Sequence, residues 1–497
     1  MEPKGPCMPE EVWIGLDLGT QSARALAVSG DGDVLAAAAR PLHGRREGDR
    51  HEQDPETWWT ALSAACAETM ARIAPEAVRG VACCSTSGTV LLLGAPGVPL
   101  TPGLMYDDGR AEEEAGRVEA AGAATWRALG YRMGASWGLP KLVWLERHRG
   151  IPAGARLGHQ VDLICERLVG APLPTDWSHA LKSGFDLLAG AWPADVLDAL
   201  GVPPDALPDV VAPGTRLGEV GASGAAATGL PAGTPVLAGM TDGCAAQIGA
   251  GALETGSWNA VLGTTLVLKG RTEELLRDPS GAVYSHRAPD GGWLPGGASS
   301  AGAGVLADEF AGRDLRALDE QAAHREPAGA VVYPLVSARG ERFPFLAPDA
   351  ERLTLGSPAD EVDRYAAILQ GVAFAERLCF DHLDRLGAPT DGTLTLTGGG
   401  ARSPYWCQLR ADVLGRPVRL LEHADPALGM AVLAASTARG SLTAAARAMV
   451  RVRAEIEPRP DRAGRFDAPY RRLLDGLAER GWLDPGLARH AAGRIAA

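Results

Sequence analysis

Three short glycine-containing turns are the features of this sequence that could handle phosphate. Asp17, Gly19 and Thr20 form an Asp-x-Gly-Thr turn after an apolar run. A Gly-Thr-Thr turn spans residues 263–265, and a triple glycine spans residues 398–400. Such turns expose backbone N–H groups and a hydroxyl to phosphate oxygens, and a carboxylate at a strand end can hold Mg²⁺ through water. The pattern therefore predicts phosphate and Mg²⁺ chemistry, with Asp17 on the metal side.

Other nucleotide and hydrolase signatures are missing from the sequence. No Gly-Lys dipeptide occurs, so the chain has no Walker A loop. His-Arg-Asp and Asp-Phe-Gly are absent, which disfavours a protein kinase. Neither His-Glu-x-x-His nor Gly-x-Ser-x-Gly occurs, so a zinc protease and an α/β-hydrolase are disfavoured as well.

The elements around the first turn follow a mixed α/β order. Apolar runs predict a strand over 12–20 and a hairpin over 23–42, whose turn contains Asp-Gly. The Asp-Pro pair at 54–55 predicts a helix start, with Asp as the N-cap and Pro at the first helical position, and the helix extends to Ile73. A further strand is predicted over 78–84.

The second half of the chain repeats this plan. Strands are predicted over 236–240, 258–262 and 266–269, and apolar spacing predicts a long helix over 362–386. The triple glycine lies between a predicted strand over 393–397 and a helix that Ser403 caps and that ends at Leu414. A strand that leads through glycines into a helix directs backbone N–H groups and the helix dipole at a nucleotide.

Two domains are predicted, residues 1–234 and 235–497, because each half opens with apolar strands, an Asp-Gly and a Gly-Thr turn. A length of 497 residues suits two large domains. The segment 221–234, rich in small residues, is interpreted as part of the crossing between them. The sequence leaves open whether residues 444–497 pack on the first or the second domain.

Composition limits the classes of partner. The chain has 48 basic and 61 acidic residues, a formal net charge of −13, which disfavours binding to nucleic acid. The longest stretch without charge, 80–106, is interrupted by prolines, and the N-terminus lacks an apolar signal-peptide core. The 8 cysteines form no Cys-x-x-Cys motif, as expected for reduced thiols. We therefore expect a cytoplasmic protein, a monomer or homodimer, that binds neither nucleic acid nor membrane.

The sequence resembles the FGGY carbohydrate kinases, which belong to the actin/hexokinase-like ATPase superfamily. In residues 104–111, Tyr106 takes the aromatic place of the family's Trp-x-Asp-x-Arg motif. The resemblance implies an α/β fold of two actin/RNase H-like domains with an inter-domain cleft, in which the first domain binds sugar and the second most of the ATP. It covers nearly the whole chain and rests on residues 14–20, 104–111, 239–247, 340–344, 397–408 and 411–418.

The same resemblance implies roles for individual residues. Asp242 is the general base that takes the proton from the terminal hydroxyl of the sugar, and Asp17 handles Mg²⁺, through water. The implied substrate-binding residues are Asp17, Ser87, Asp108, Arg110 and Asp242. The implied nucleotide-binding residues are Gly19, Thr20, Gln21, Gly263, Thr264, Thr265, Gly398, Gly399, Gly400 and Ser403.

The segment 83–89 bears on the sugar. It is Cys-Cys-Ser-Thr-Ser-Gly-Thr, where glycerol kinases usually carry Gln-Arg-Glu-Thr and xylulokinases Gln-Met-His-Gly. Together with residues 106–110, 176–184 and 340–344, it is most similar to D-ribulose kinases. The resemblance thus implies phosphorylation of D-ribulose to D-ribulose 5-phosphate with ATP and Mg²⁺. A D-xylulose, other pentulose or polyol kinase is the alternative, and a non-kinase actin-like ATPase or sugar sensor is a second one.

Several of these side chains also have a structural interpretation. Asp242 could cap a helix, and Arg110 could pair with a neighbouring carboxylate. Trp406 is expected to pack the nucleotide-side helix rather than stack on adenine. Whether Met430 touches adenine stays open.

Overall fold

A computed structural model describes residues 11–337 and 339–495. Contacts divide the chain into two compact units, each formed from more than one stretch of sequence. The N-terminal unit runs to Gly251 and includes His286–Gly291 and His423–Arg451. The C-terminal unit consists of Ala252–Ser285, Gly292–Glu422 and the chain from Val452 onward.

This division lies later than the boundary predicted at residues 234 and 235. The strand Pro235–Leu237 pairs in parallel with Val78–Ser85, so it belongs to the sheet of the N-terminal unit. The segment predicted to cross between domains also lies in that unit, where Ala222–Thr228 is a helix. Gly224 lets this helix lie close to the backbone of Leu168, because a Cβ at Gly224 would lie 2.3 Å from the Leu168 carbonyl oxygen.

The C-terminal part of the chain is shared between the units. Residues 444–451 belong to the N-terminal unit, whereas those from Val452 onward belong to the other. The helix Pro426–Arg439 lies close against the strand Val12–Leu18 because of a glycine: a Cβ on Gly15 would come within 1.7 Å of the Ala427 carbonyl oxygen. Two distant parts of the sequence therefore build one core.

The N-terminal unit is organised around a six-stranded sheet. Ser22–Ser29 and Val34–Pro41 pair antiparallel, which confirms the predicted hairpin. Val12–Leu18 pairs antiparallel with Ser22–Ser29 and runs parallel to Val78–Ser85. In spatial order the strands are Arg216–Glu219, Pro235–Leu237, Val78–Ser85, Val12–Leu18, Ser22–Ser29 and Val34–Pro41.

Two smaller sheets and a set of helices complete the N-terminal unit. The predicted helix start at Asp54 is confirmed: the Asp54 side chain accepts a hydrogen bond from Glu56 N and caps Pro55–Met70. The five-stranded sheet contains Arg45–Glu47, Arg50–Gln53, Gly103–Leu104, Val90–Leu93 and Arg156–His159, and the two-stranded one Thr175–Asp176 and Val210–Val211. The other α-helices are Glu112–Ala121, Ala123–Leu129, Gly138–Arg149, Gln160–Val169, Trp177–Ala180, Ala194–Leu200, Ala222–Thr228, Asp242–Gly249, Pro426–Arg439 and Leu442–Met449.

The second large sheet has seven strands. The predicted long helix is confirmed as Glu361–Arg385 and forms the centre of the C-terminal core, because most of its residues are buried. In spatial order the strands are Tyr284–Arg287, Trp293–Ala298, Leu266–Gly270, Trp258–Leu262, Leu394–Thr397, Val418–Leu421 and Val452–Ile456; Val331–Tyr333 pairs with Leu353–Leu355. The remaining α-helices are Gly304–Glu309, Leu315–Ala322, Pro404–Leu414, Asp467–Glu479 and Pro485–Gly493.

None of the helices within residues 11–337 and 339–495 combines the length and the apolar character that crossing a bilayer requires.

Candidate active site

Three predicted site segments of the N-terminal unit meet at one edge of its sheet. Leu18 lies beside Ser85 in two parallel strands, and Ser85 forms a parallel bridge with Thr241. The carboxyl ends of parallel strands lie at the same edge, which is where such sheets bind ligands. The topology therefore brings together Asp17, the loop at residues 85–89 and Asp242.

Asp17 is a buried carboxyl group in an acidic environment. Only 5% of its surface is exposed, and Cys84 Sγ lies 3.5 Å from its Oδ1. Burial, reinforced by the charges of Asp425 and Asp242, raises the pKa of Asp17 from 3.8 to about 7. Asp425 caps the helix Pro426–Arg439 and pairs with Arg24 at 3.0 Å. The site thus carries an excess of negative charge.

This excess of negative charge fits a divalent cation. Mg²⁺ usually keeps several waters and takes only one or two protein carboxylates, with phosphates as further ligands. Within residues 11–337 and 339–495, no group of three or more His, Cys, Asp and Glu side chains is arranged to hold a metal ion. The buried Asp17, with Asp242 and Asp425 close enough to raise its pKa, is a donor set that fits an ion held largely through water.

Asp242 begins the helix Asp242–Gly249. Its side chain is half-buried, and its Oδ1 accepts a hydrogen bond of 2.7 Å from Gly243 N. The N-cap residue is Thr241, so Asp242 is the first helical residue and not the cap that the sequence allowed.

The first phosphate turn is Gly19–Gln21, between the first two strands. Gly19 N donates to Ser22 O, and the carbonyls of Thr20 and Gln21 accept from Gln53 Nε2 and Leu42 N. These contacts fix the backbone of the turn. The Thr20 side chain is half-buried and Gln21 is exposed, so the predicted contact of these residues with phosphate remains a prediction.

The loop at residues 85–89 is held by neighbours. Ser85 Oγ bonds to His179 Nε2 at 2.9 Å, and the hydroxyl of Thr86 bonds to Gln160 Oε1 and to Thr89 Oγ1. Ser87 Oγ is buried and, among the residues that the structure describes, has no hydrogen-bond partner. A buried polar group without a partner is uncommon in native proteins, so Ser87 remains a candidate for a ligand contact.

A buried lysine that the sequence analysis did not single out supports this loop. Lys141 is fully buried, and its Nζ donates to the carbonyl oxygens of Gly88 at 3.0 Å, Met105 at 2.6 Å and Ser136 at 2.9 Å. Burial lowers the pKa of Lys141 to about 7. Lys141 thus joins the 85–89 loop to the segment that leads to Asp108. A lysine within the apolar run at residues 138–145 was the available sequence signal.

Asp108 and Arg110 form a buried ion pair. Asp108 is fully buried and accepts hydrogen bonds from His51 N and from the backbone N, Nε and Nη2 of Arg110. These four bonds occupy both carboxylate oxygens, so the geometry does not favour the predicted sugar contact of Asp108. Arg110 also pairs with Glu52 and lies over the Trp144 ring, and its buried Nη1 has no partner among the described residues. Arg110 keeps capacity for a ligand.

The C-terminal unit contains a cavity of about 930 Å³ that collects five of the predicted nucleotide residues. Its apolar wall includes Leu306, Phe310 and Tyr365, which were not predicted because they carry no motif. Met430 belongs to the other unit. Trp406 also lines the cavity, but its Nε1 donates to Leu369 O, which favours packing. The five predicted residues are Gly263, Thr264, Gly399, Gly400 and Ser403; Thr265 and Gly398 lie outside the lining.

Glycines lie in the wall of this cavity and directly beside it. Gly398 has a φ of 82°, and a Cβ there would lie 2.6 Å from Leu262 O, so this position requires glycine. Gly399 has open space where a Cβ would stand. Ser403 caps the helix Pro404–Leu414 through Trp406 N and donates to Asp319 Oδ2 at 2.7 Å. The hydroxyl of Ser403 therefore shapes the pocket from a fixed position.

Comparisons with known proteins agree with this architecture. The N-terminal domain of the FGGY family of carbohydrate kinases matches residues 12–249, and its C-terminal domain matches residues 258–438. A xylulose kinase of Streptomyces coelicolor is 32% identical over 97% of this chain and 98% of its own. A xylulose kinase of Escherichia coli is 29% identical over 85% and 89%. The crystal structure of xylulose kinase from Rhodospirillum rubrum matches with a TM-score of 0.85 and 30% identity, over 95% and 99%.

The fold is therefore that of the two-domain sugar kinases with actin/RNase H-like architecture. The chain belongs to the FGGY family of carbohydrate kinases, and it is a sugar kinase. Kinases of this family use ATP, which is the role that the glycine-shaped cavity suits.

Proposed function

We propose that this enzyme transfers the γ-phosphoryl group of ATP to the terminal hydroxyl of a ketopentose, in the cytoplasm. The observation that carries the proposal is the sheet edge of the N-terminal unit, where the Asp242 carboxylate and the unpartnered hydroxyl of Ser87 belong to adjoining segments. A carboxylate and a hydroxyl-rich loop are the groups that a polyhydroxylated acceptor needs. Xylulose kinases among the relatives support a pentulose.

Asp242 acts as the general base in this proposal. It takes the proton of the terminal hydroxyl while the oxygen forms a bond to the γ-phosphorus and the bond to the bridging oxygen of ADP breaks. The transition state of phosphoryl transfer is loose, so the proton leaves late and a weak carboxylate base suffices. Asp17 would hold Mg²⁺ through water, and the ion would neutralise charge on the phosphates.

D-Ribulose is the substrate that we favour, and D-xylulose is the second candidate. The loop at residues 85–89 offers small hydroxyls and no histidine, which supports a pocket that hydrogen-bonds the sugar through Ser87 with Arg110 nearby. Sites built on hydroxyl contacts discriminate strongly between substrates. The names of the relatives favour D-xylulose.

A substrate comparison tests the proposal. The purified chain, with ATP and Mg²⁺, is assayed for ADP release with D-ribulose, D-xylulose, L-ribulose and glycerol. We expect the highest kcat/KM with D-ribulose and a value at least about 100-fold lower with glycerol. A higher kcat/KM with D-xylulose would move the assignment to the second candidate. Activity with glycerol above that with either D-pentulose would refute a pentulose kinase.

A further inference from the structure

A closed ring of hydrogen bonds lies behind the candidate active site of the N-terminal unit. His179 Nε2 bonds to Ser85 Oγ at 2.9 Å, and His179 Nδ1 bonds to Asp176 Oδ2 at 2.5 Å. Ser178 Oγ donates to Asp176 Oδ1 at 2.5 Å and accepts from Thr241 N at 3.0 Å. Because Thr241 also forms a bridge with Ser85, the chain of contacts returns to its starting strand.

The ring is buried and rigid. Ser85, Ser178 and His179 are fully buried, and Asp176 is 3% exposed. The Asp176 carboxylate also accepts from the backbone N of Ser178 and of His179, so it caps the helix Trp177–Ala180 while it holds both side chains. Both of its oxygens accept hydrogen bonds, three at Oδ1 and one at Oδ2, and buried polar networks that are satisfied in this way fix one geometry.

Opposite charges stabilise the pair at the centre of the ring. Burial opposes ionisation of both groups, but the Asp176 carboxylate raises the pKa of His179 and the imidazolium lowers the pKa of Asp176. Asp162 and Asp242 also act on His179 in the same direction as Asp176. An imidazolium donates from both ring nitrogens, which matches its two bonded neighbours.

The order Ser85, His179, Asp176 resembles the triad of acyl-transfer enzymes, but burial excludes that chemistry. The exposed fraction of Ser85 is 0%, so no substrate carbonyl can reach its hydroxyl in this fold. A nucleophile must be accessible to the atom that it attacks. The ring is therefore a support for neighbouring groups.

Both ends of the ring lead to groups that the proposed reaction uses. Ser85 is the first residue of the loop that carries Ser87, and Thr241 directly precedes Asp242. The amide of Thr241 is held by Ser178, and its carbonyl accepts from Ala245 N within the following helix. The backbone that carries the Asp242 carboxylate is thus connected by hydrogen bonds to the loop at residues 85–89.

We propose that Asp176, Ser178 and His179 are positioning residues that set the Asp242 carboxylate relative to the acceptor hydroxyl. This inference rests on the proposed role of Asp242 as the base. Catalysis by a base depends steeply on geometry, and a displacement of about 1 Å can cost about 100-fold in rate. Loss of the ring should therefore lower kcat, while the sugar still binds through the loop, which Lys141 and Gln160 hold independently.

Ser178→Ala tests the proposal, because it removes the acceptor of Thr241 N and leaves the His179–Asp176 pair in place. We expect kcat to fall about 10- to 100-fold, with the KM values for sugar and ATP within about threefold of wild type. Asp176→Asn, which is nearly isosteric, is the second variant if Ser178→Ala does not fold. It should lower kcat over the same range.

His159→Gln is the matched control. His159 is fully buried and bonds to Asp162, Thr175 and Ser183. Its ring lies 5.6 Å from that of His179, but none of these bonds reaches Thr241 or Ser85. Thermal unfolding measures the stability lost by each variant. Even if His159→Gln loses as much stability as the ring variants, its kcat should stay within about threefold of wild type.

Each other outcome has a definite meaning. An unchanged kcat in Ser178→Ala and Asp176→Asn, a rise in sugar KM at constant kcat, or an equal fall of kcat in His159→Gln would each overturn the positioning role. Asp242→Asn separates this failure from failure of the proposed function. If Asp242→Asn keeps its rate, the base assignment is wrong; if it is inactive while the ring variants are fully active, only the positioning role is wrong.

Discussion

The two units bring different kinds of group to their sites. In the N-terminal unit the residues that converge are ionisable and buried: Asp17, Lys141 and the His179–Asp176 pair all have displaced pKa values. In the C-terminal cavity the wall consists mainly of apolar side chains and glycines, together with Arg313, Arg316, Arg402 and Asp319, and Ser403 is held as a helix cap.

This difference matches two physical tasks. Charged groups in a poorly solvated site act strongly on a reacting atom, but they must be held by a network because ionisation there is costly. A nucleotide, in contrast, is bound by shape and by backbone N–H groups, for which glycine leaves the most room. We therefore expect substitutions in the first unit to change rate and acceptor binding, and those in the second to change ATP binding.

The largest effect is expected for Asp242→Asn. The amide keeps the shape of the side chain but cannot take a proton, so kcat should fall by about 10²- to 10⁴-fold, or about 3 to 5 kcal/mol of transition-state stabilisation. The KM for ATP and the unfolding temperature should stay close to wild type, since Asp242 is half-buried. A coupled ADP assay measures the rate. An Asp242→Asn variant with undiminished kcat would show that the N-terminal unit does not supply the base through Asp242.

The next largest effect concerns stability at Asp17. The folded state raises the pKa of this carboxyl from 3.8 to about 7, so the wild type loses stability as pH rises through that interval. Asp17→Asn removes the titration and should be more stable than wild type at pH 8 by up to about 4 kcal/mol, and equal to it near pH 4. Unfolding at both pH values measures the difference. The exposed Asp205→Asn serves as the control, and an Asp17→Asn variant destabilised at pH 8 would contradict burial as the cause of the raised pKa.

Lys141→Met should raise the KM for sugar about tenfold and leave the KM for ATP unchanged. The substitution removes the donor of three carbonyl groups. One of them, Gly88, lies in the loop at residues 85–89, and another, Met105, lies in the segment that leads to Asp108. Unpaired buried carbonyls cost about 1 to 3 kcal/mol. The matched control is Lys269→Met, the same change at a buried lysine of the C-terminal unit. Equal effects of the two variants on sugar KM would remove the distinction between the units.

In the C-terminal unit, Gly399→Val should raise the KM for ATP about tenfold, which corresponds to about 1.4 kcal/mol. The new side chain enters the cavity, where nothing lies within 4 Å of a Cβ, so stability should be retained. Gly398→Ala is the contrasting variant, because its positive φ and the Leu262 carbonyl make any side chain costly. It should lose stability instead. An ATP KM unaffected by Gly399→Val would place the nucleotide elsewhere.

The smallest effect is expected for Ser87→Ala. One hydrogen bond to the sugar is worth about 0.5 to 1.5 kcal/mol, so the KM for the preferred ketopentose should rise about three- to tenfold. The unfolding temperature should not fall, since the Ser87 hydroxyl has no partner within the described residues. Titration of sugar against initial rate measures this, with the half-buried Ser63→Ala as the control. A loss of stability without a change in KM would show that Ser87 is structural.

Much of the fold followed from local sequence. The hairpin turn, the Asp54 cap, the long helix Glu361–Arg385 and the Ser403 cap were all predicted and are confirmed. Each depends on residues that lie near one another in the chain. The domain boundary differed, because the strand Pro235–Leu237 is placed by pairing with Val78–Ser85, some 150 residues away, and no local pattern records that pairing.

The candidate site divides in the same way. Asp17, Ser87 and Asp242 could be singled out from motifs, and the structure brings the segments that carry them to one sheet edge. Lys141 and Asp425 were not predicted to act there, and Asp108 was predicted as a sugar contact although its oxygens are occupied. Whether a carboxylate is free or saturated depends on neighbours such as His51, 57 residues away, which a one-dimensional motif does not contain.

The family, the turns that suit phosphate, the candidate base and the local starts and ends of the helices could be read from residue types and short spacings. The pKa shifts of the buried groups, the lack of a partner for the Ser87 hydroxyl among the described residues, and the link from Ser85 through His179, Asp176 and Ser178 to Thr241 could be read only from the folded chain. Those properties arise from desolvation and from contacts between segments far apart in the chain, and both exist only once the chain has folded.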